Sequence, residues 1–179
     1  AFDDLIKQGK IRYAGISSPP AWRFVDMQWT ARHNGTAPLT TCEVEYSLLA
    51  RAPEAELIPA MLKHGAVLLP YYPLASGFLT GKYTRATPKP EGARLTQGKR
   101  YEDMFMTQDN WRRLEGLQAF ATARGHTLLE LAFSWLIAQP VVATVIAGAT
   151  KPEQLDANVK AAGWMLTAEE LAEIDNITT

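Results

Sequence analysis

An α/β fold built on parallel strands is predicted by three features of the 179-residue sequence. Short apolar runs bounded by Gly and Pro recur along the chain, stretches with helical spacing lie between them, and glycines stand where those stretches stop. Alternation of this kind gives strands that run the same way under covering helices. With 47% apolar and 21% charged residues the chain reads as an ordinary globular domain, so disorder is excluded and residues 1–179 form one domain.

The elements follow in order. Phe2, Leu5 and Ile6 share one helical face and Gly9 ends it, which reads as the last two turns of a helix begun elsewhere. Residues 11–17 are a first buried strand, closed by Ser17-Ser18-Pro19-Pro20. Pro20 then opens a helix carrying Trp22, Phe24, Val25, Met27 and Trp29, which stops before His33-Asn34-Gly35. Residues 39–46 are a second strand in which Glu43 and Glu45, two positions apart, face the same side. A helix over 53–63 turns Leu57, Ile58, Met61 and Leu62 inward, stops at Gly65, and bends or starts late because of Pro59. Residues 66–69 are the clearest strand, and Pro70 is expected to end its ladder.

Residues 74–107 show no sustained period, and a loop this long is expected to cover a site. Helices follow over 109–124 and from Thr127, where Thr127 and Glu130 form a capping box, up to Pro140. Residues 141–147 are the fourth strand, with a helix over 153–162 and a final one opened by Thr167 and Glu170. The five tryptophans, Trp22, Trp29, Trp111, Trp135 and Trp164, are expected to pack helices onto the sheet. Four such units make either a small open sheet or half of an eight-stranded barrel.

Composition also bounds the chemistry. Eighteen basic against nineteen acidic residues leave a net charge of -1, so no cationic field gathers nucleic acid or an anionic membrane. No run reaches the roughly 18 apolar residues of a membrane helix. The single Cys42 forms no internal disulfide and no Cys/His cluster has metal spacing, which points to a reducing, cytoplasmic setting without structural zinc. His33, His64 and His126 each lie at a helix end beside Gly and read as caps or surface residues.

Four strings carry a sharper signal. They are Gly9-Lys10-Ile11-Arg12-Tyr13-Ala14-Gly15-Ile16-Ser17, Glu45-Tyr46-Ser47-Leu48-Leu49-Ala50-Arg51, the segment from Pro70-Tyr71-Tyr72-Pro73-Leu74-Ala75-Ser76-Gly77 to Gly81-Lys82-Tyr83, and Val145-Ile146-Ala147-Gly148-Ala149-Thr150-Lys151-Pro152-Glu153-Gln154-Leu155 with Asn158. Together, in order and over essentially the whole chain, they resemble the aldo-keto reductase family. The resemblance implies the C-terminal half of a TIM (β/α)8 barrel, about four strands corresponding to its fifth to eighth, with NADP(H) bound at the C-terminal strand ends.

Carried over by position, Ser17 and Ser18 fall where the family holds the nicotinamide carboxamide, Ser18 replacing an Asn. Glu43 falls on a Gln of that contact and only accepts hydrogen bonds while ionised. Tyr71 matches the tyrosine that stacks on the nicotinamide, and Tyr72 stands where a Ser commonly meets the pyrophosphate. Leu74, Ser76 and Gly77 match the pyrophosphate loop, inside the cofactor-covering segment 74–107. Gly148, Ala149 and Thr150 precede a helix N-terminus suited to phosphate. Lys151 adds charge at the 2'-phosphate position, while Gln154 and Asn158 match contacts to phosphate and adenine, favouring NADP over NAD.

The resemblance also implies what to expect of activity. The family's catalytic Asp, Tyr, Lys and His lie on its first four strands, for which this sequence has no matching segment. An oxidoreductase of small carbonyl substrates that is nearly inactive by itself is one reading, and a non-catalytic nucleotide-binding or self-assembling half-barrel is the other. Two open sheet edges and an uncovered sheet face make a homodimer the expected assembly.

Overall fold

A computed structural model describes residues 1–86, 90–96 and 99–178. Three strands, β1 (Ala14–Ser17), β2 (Leu39–Glu45) and β3 (Val67–Tyr71), form a parallel open sheet in the order β1-β2-β3. Each crossover is a helix: α2 (Ala21–Asn34) joins β1 to β2, and α3 (Leu57–His64) joins β2 to β3. Before them lies α1 (Phe2–Lys7), followed by Gly9 in the left-handed region at φ 70°. Gly35 and Gly65 close α2 and α3 with left-handed caps, the role their places in the sequence predict. α3 starts late at Leu57, which leaves Pro59 in its first turn, where a missing N–H costs nothing.

The two faces of the sheet differ. Cys42 and Val44 on β2 and Leu68 and Pro70 on β3 are buried under the helices, with Phe24 and Met61 packed over them. The opposite face carries Gly15, Ser17, Thr41, Glu43, Glu45, Leu69 and Tyr71, partly or fully exposed. Gly15 is needed there, since a Cβ would stand 3.0 Å from the Thr41 carbonyl oxygen.

Four expectations are corrected. The β3 ladder does not end at Pro70, which pairs with Val44, while Tyr71 pairs with Glu45. Segment 141–147 is not a full fourth strand but makes a single parallel bridge, Leu68 to Val142. One cause explains both. Leu68 both donates to Val141 O (2.7 Å) and accepts from Ala143 N (3.1 Å), whereas Pro70 on the same side accepts from Ile146 N (2.9 Å) and has no N–H to return. The third correction concerns the α2 tryptophans: Trp22 is 65% and Trp29 54% exposed, because α2 buries the stripe of Phe24 and Gln28. Their rings lie instead under the guanidinium groups of Arg23 and Arg32, at 5.3 and 5.2 Å. Leu62 likewise points outward.

The fourth is the lack of regular structure expected over 74–107. That stretch holds a 3-10 segment (Ala75–Thr80), a 3-10 turn (Arg94–Thr96) and α4 (Lys99–Phe105), and Phe78, Leu79, Tyr83 and Leu95 bind it into the core; positions 87–89 and 97–98 lie outside the described residues. Beyond it α5 (Gln108–Ala123) and α6 (Leu128–Ile137) pack together, and the Thr127–Glu130 capping box forms as predicted. α7 (Pro152–Lys160) buries none of its residues, and α8 (Ala168–Thr178) returns against α5, where Gly116 admits the Ile177 side chain.

Cys42 offers a direct check of this packing. It is fully buried in β2, and burial pushes its thiol up to about 11, so little thiolate exists at neutral pH. A thiol reagent at pH 8 is expected to leave the native chain unmodified and to label it fully once denaturant is added. Fast labelling without denaturant would contradict the sheet placement.

Candidate functional site

The parallel strands end on one edge, which brings Ser17, Ser18, Glu45, Tyr71 and Tyr72 together. Ser18 has φ 49°, and its backbone N–H donates to Glu43 O at 2.8 Å. Its hydroxyl lies 3.2 Å from the Tyr71 hydroxyl and 3.4 Å from that of Ser17. Ser18, Glu45 and Tyr71 line a cleft of about 450 Å³ whose other walls include Pro19, Pro20 and Leu57. Burial raises the Glu45 carboxyl above its ordinary range. Tyr72 turns away, its ring edge-on to Tyr71 at 5.4 Å and to Phe105 at 6.3 Å, and burial and then Tyr101 raise its phenol.

The loop after β3 is unusual in its backbone. Tyr72, Ala75 and Ser76 have φ of 51°, 46° and 56°, conformations that cost side-chain-bearing residues on the order of 1 kcal/mol or more each and cluster at working sites. Leu74 O accepts from Gly77 N (2.8 Å) and Leu79 N (3.1 Å), which folds the loop tightly. Ser76 is 94% buried by its 6% exposure, yet its hydroxyl has no hydrogen-bond partner among the described residues. Gly77 sits at φ 94°, and a Cβ there would come within 3.3 Å of Lys82 Nζ. An orphaned hydroxyl, a bare backbone and an ammonium group at one turn suit an anion.

The second cluster is the turn before α7. Gly148, Ala149, Thr150 and Lys151 are exposed, and Lys151 is the N-cap with no side-chain cap of its own; Pro152 has no N–H and Gln154 N donates to Lys151 O at 3.1 Å, so Glu153 offers the first helical N–H of α7. Gln154 turns back, its Oε1 accepting from Thr150 N at 2.8 Å and Thr150 Oγ1 at 3.1 Å. Asn158, one helical turn on, is partly exposed. The Ile146 to Pro70 hydrogen bond ties this turn to the end of β3, so both clusters leave the sheet on adjacent segments.

Two cations join the site only through the fold. Lys82 lies in the third motif string without a role of its own, and the fold of the loop brings it to Gly77. Arg94 lowers the phenol of Tyr72 by its charge, a proximity for which the sequence holds no signal. Among the described residues no group of three or more His, Cys, Asp and Glu side chains could hold a metal ion, and no helix is long and apolar enough to cross a membrane.

Parallel βα units with an anion-suited turn at the strand ends place the chain among α/β proteins with a site at the strand ends, and comparison with known proteins narrows the class. The model of the aldo/keto reductase family matches residues 1–179. The chain is 33% identical over 176 residues to L-glyceraldehyde 3-phosphate reductase of Escherichia coli O157:H7, covering 95% of this chain and 50% of that protein. It is 34% identical over 164 residues to a probable voltage-gated potassium channel subunit beta of Arabidopsis thaliana, with 90% and 50% covered. Probable aldo-keto reductase 1 of Glycine max is 31% identical over 174 residues, with 95% and 47% covered. The chain belongs to the aldo/keto reductase family and spans about half the length of the curated relatives it matches.

Proposed function

We propose that the chain carries the dinucleotide-binding half of an NADP(H)-dependent oxidoreductase acting on small carbonyl compounds. In this reading β1, β2, β3 and segment 141–147 are the last four strands of a (β/α)8 barrel, residues 1–179 act as one domain, and residues 74–107 cover the cofactor. The observation that carries the reading is the turn of Ser76, Gly77 and Lys82, with its orphaned buried hydroxyl and its ammonium group.

The residues present fit such a cofactor. Ser76 Oγ, the Gly77 backbone and Lys82 would hold the pyrophosphate, with Leu74 shaping the loop. Gly148, Ala149, Thr150 and the Glu153 N–H at the start of α7 would hold the adenosine phosphates, with Lys151 on the 2'-phosphate and Gln154 and Asn158 at the phosphate and adenine contacts. Tyr71 would stack on the nicotinamide, oriented through its hydroxyl by Ser18 and Ser17. A bound nicotinamide supplies the hydride. A reducing, cytoplasmic setting is part of the same proposal.

Adenosine 2',5'-bisphosphate is therefore expected to compete for NADPH on this chain with an affinity close to that of NADPH itself. Calorimetric competition checks this. NADPH binding far more tightly than the bisphosphate, or neither binding at millimolar levels, would contradict the assignment of the adenosine end.

A second reading is favoured by the uncovered sheet face and the open edge of β1. A second copy meeting that edge would make a non-catalytic, self-assembled module. Light scattering is then expected to give twice the 19.8 kDa chain mass, and a folded monomer at micromolar concentration would exclude it.

A further inference from the structure

Glu43 and Glu45 stand two residues apart on β2, on the face turned away from the helices. Glu45 pairs directly with Tyr71 on β3, and Glu43 pairs with Ser17 on β1. Neighbouring strands lie about 4.8 Å apart, so both carboxylates border the surface that the Tyr71 ring presents. Among the described residues neither takes a side-chain hydrogen bond or an ion pair. The cleft shared by Ser18, Glu45 and Tyr71 includes Glu56 and has no Lys or Arg in its lining. The rise in the Glu45 carboxyl comes from burial alone, with no cation to offset it. At this edge the carboxylates of Glu43, Glu45 and Glu56 stand against the charge of Arg94, which reaches Tyr72, so the balance is negative, whereas the pyrophosphate and adenosine turns are supplied with positive charge through Lys82 and Lys151.

We propose that Glu43 and Glu45 make this site discriminate between the two redox forms of the dinucleotide, holding the oxidised, cationic nicotinamide more tightly than the neutral reduced one. The inference rests on the reading above that the ring lies at Tyr71. The two forms share their adenosine and pyrophosphate groups and differ by one positive charge on the ring. Only groups near the ring can therefore tell them apart, and here the carboxylates outnumber Arg94. A carboxylate some 8 Å from a cation at an effective dielectric of about 40 changes affinity by roughly five- to tenfold. Two of them, partly offset by Arg94, give a wild-type preference for NADP⁺ over NADPH of about tenfold or more.

The experiment titrates the 179-residue chain and its Glu43→Gln and Glu45→Gln variants with NADP⁺, NADPH and adenosine 2',5'-bisphosphate by calorimetry. The expected result is tighter binding of NADP⁺ in the wild type, a preference reduced about five- to tenfold in either variant, and unchanged affinity for the bisphosphate, which carries no ring. Equal affinities for NADP⁺ and NADPH in the wild type, with the bisphosphate still binding, would overturn this inference and leave the cofactor reading standing. Binding of none of the three would overturn both. A variant that lost bisphosphate affinity as well would show that the carboxylates act through the fold and not on the ring, which also overturns the proposal.

Discussion

NADPH oxidation by the 179-residue chain in the presence of reactive aldehydes is expected to stay at background. Carbonyl reduction needs a proton donor and a polarising group at the substrate oxygen, which together contribute on the order of 10⁴-fold or more. The cleft beside Tyr71 holds the Glu45 and Glu56 carboxyls and no Lys, Arg or His to polarise a carbonyl oxygen. The Tyr46 hydroxyl is buried on the opposite face and donates to Glu54 Oε1 at 2.7 Å, and burial followed by Glu54 drives its phenol far above the ordinary range. Tyr72 faces α4. His64 packs edge-on to Phe24 at 6.0 Å, and His126 stacks on Trp164 at 4.0 Å, both in the helical layer. Turnover at ordinary enzyme rates, about 1 per second or more, would show that a donor has been missed.

The largest stability effects are expected where α8 is locked to the loop after β2. Arg51 makes two parallel bonds to Glu54, from Nε at 2.8 Å and Nη2 at 2.9 Å. Its Nη1 meets Asp175 and donates to Thr178 Oγ1, each at 2.7 Å. The guanidinium also lies 5.1 Å from the centre of the Trp135 ring, which is fully buried and packs on Tyr46. Tyr46, Arg51, Glu54, Trp135 and Asp175 line a cavity of about 280 Å³. Breaking a fully buried pair costs about 3–5 kcal/mol. Asp175 is half exposed, so Arg51→Met is expected to cost roughly 2–3 kcal/mol. Trp135→Ala removes a large, fully buried side chain from the last turn of α6 and is expected to cost about 3–5 kcal/mol. The double variant should fall short of the sum, because the two side chains touch. Urea unfolding checks all three through the midpoint at constant slope. A change under 1 kcal/mol in Trp135→Ala would contradict the packing described.

How much of this was legible in the sequence depended on where the signal was local. Gly9, Gly35 and Gly65 announced the ends of α1, α2 and α3, and Thr127 with Glu130 announced the start of α6, because a cap is a property of a few adjacent residues. Pro70 misled because its effect depends on which side of β3 its missing N–H faces, a matter of pairing and not of spacing. Trp22 and Trp29 misled because apolar character was visible while the choice of Phe24 and Gln28 as the buried stripe was made by the sheet beneath. In the candidate site, positional resemblance named Ser76, Gly77 and Lys151. The left-handed backbone at Ser18, Ala75 and Ser76 and the reach of Lys82 to Gly77 arise from the folded loop and left no mark in residue order.

Adenosine 2',5'-bisphosphate titrated into the ¹⁵N-labelled chain, followed amide by amide, locates the phosphate-binding turns. The largest shifts are expected at Ser76, Gly77 and Lys82 and at Gly148, Thr150, Lys151, Gln154 and Asn158, with the amides of α2 and α6 unmoved. Shifts centred on the cleft of Pro19, Pro53 and Leu57, or no saturable shifts at millimolar ligand, would contradict that placement.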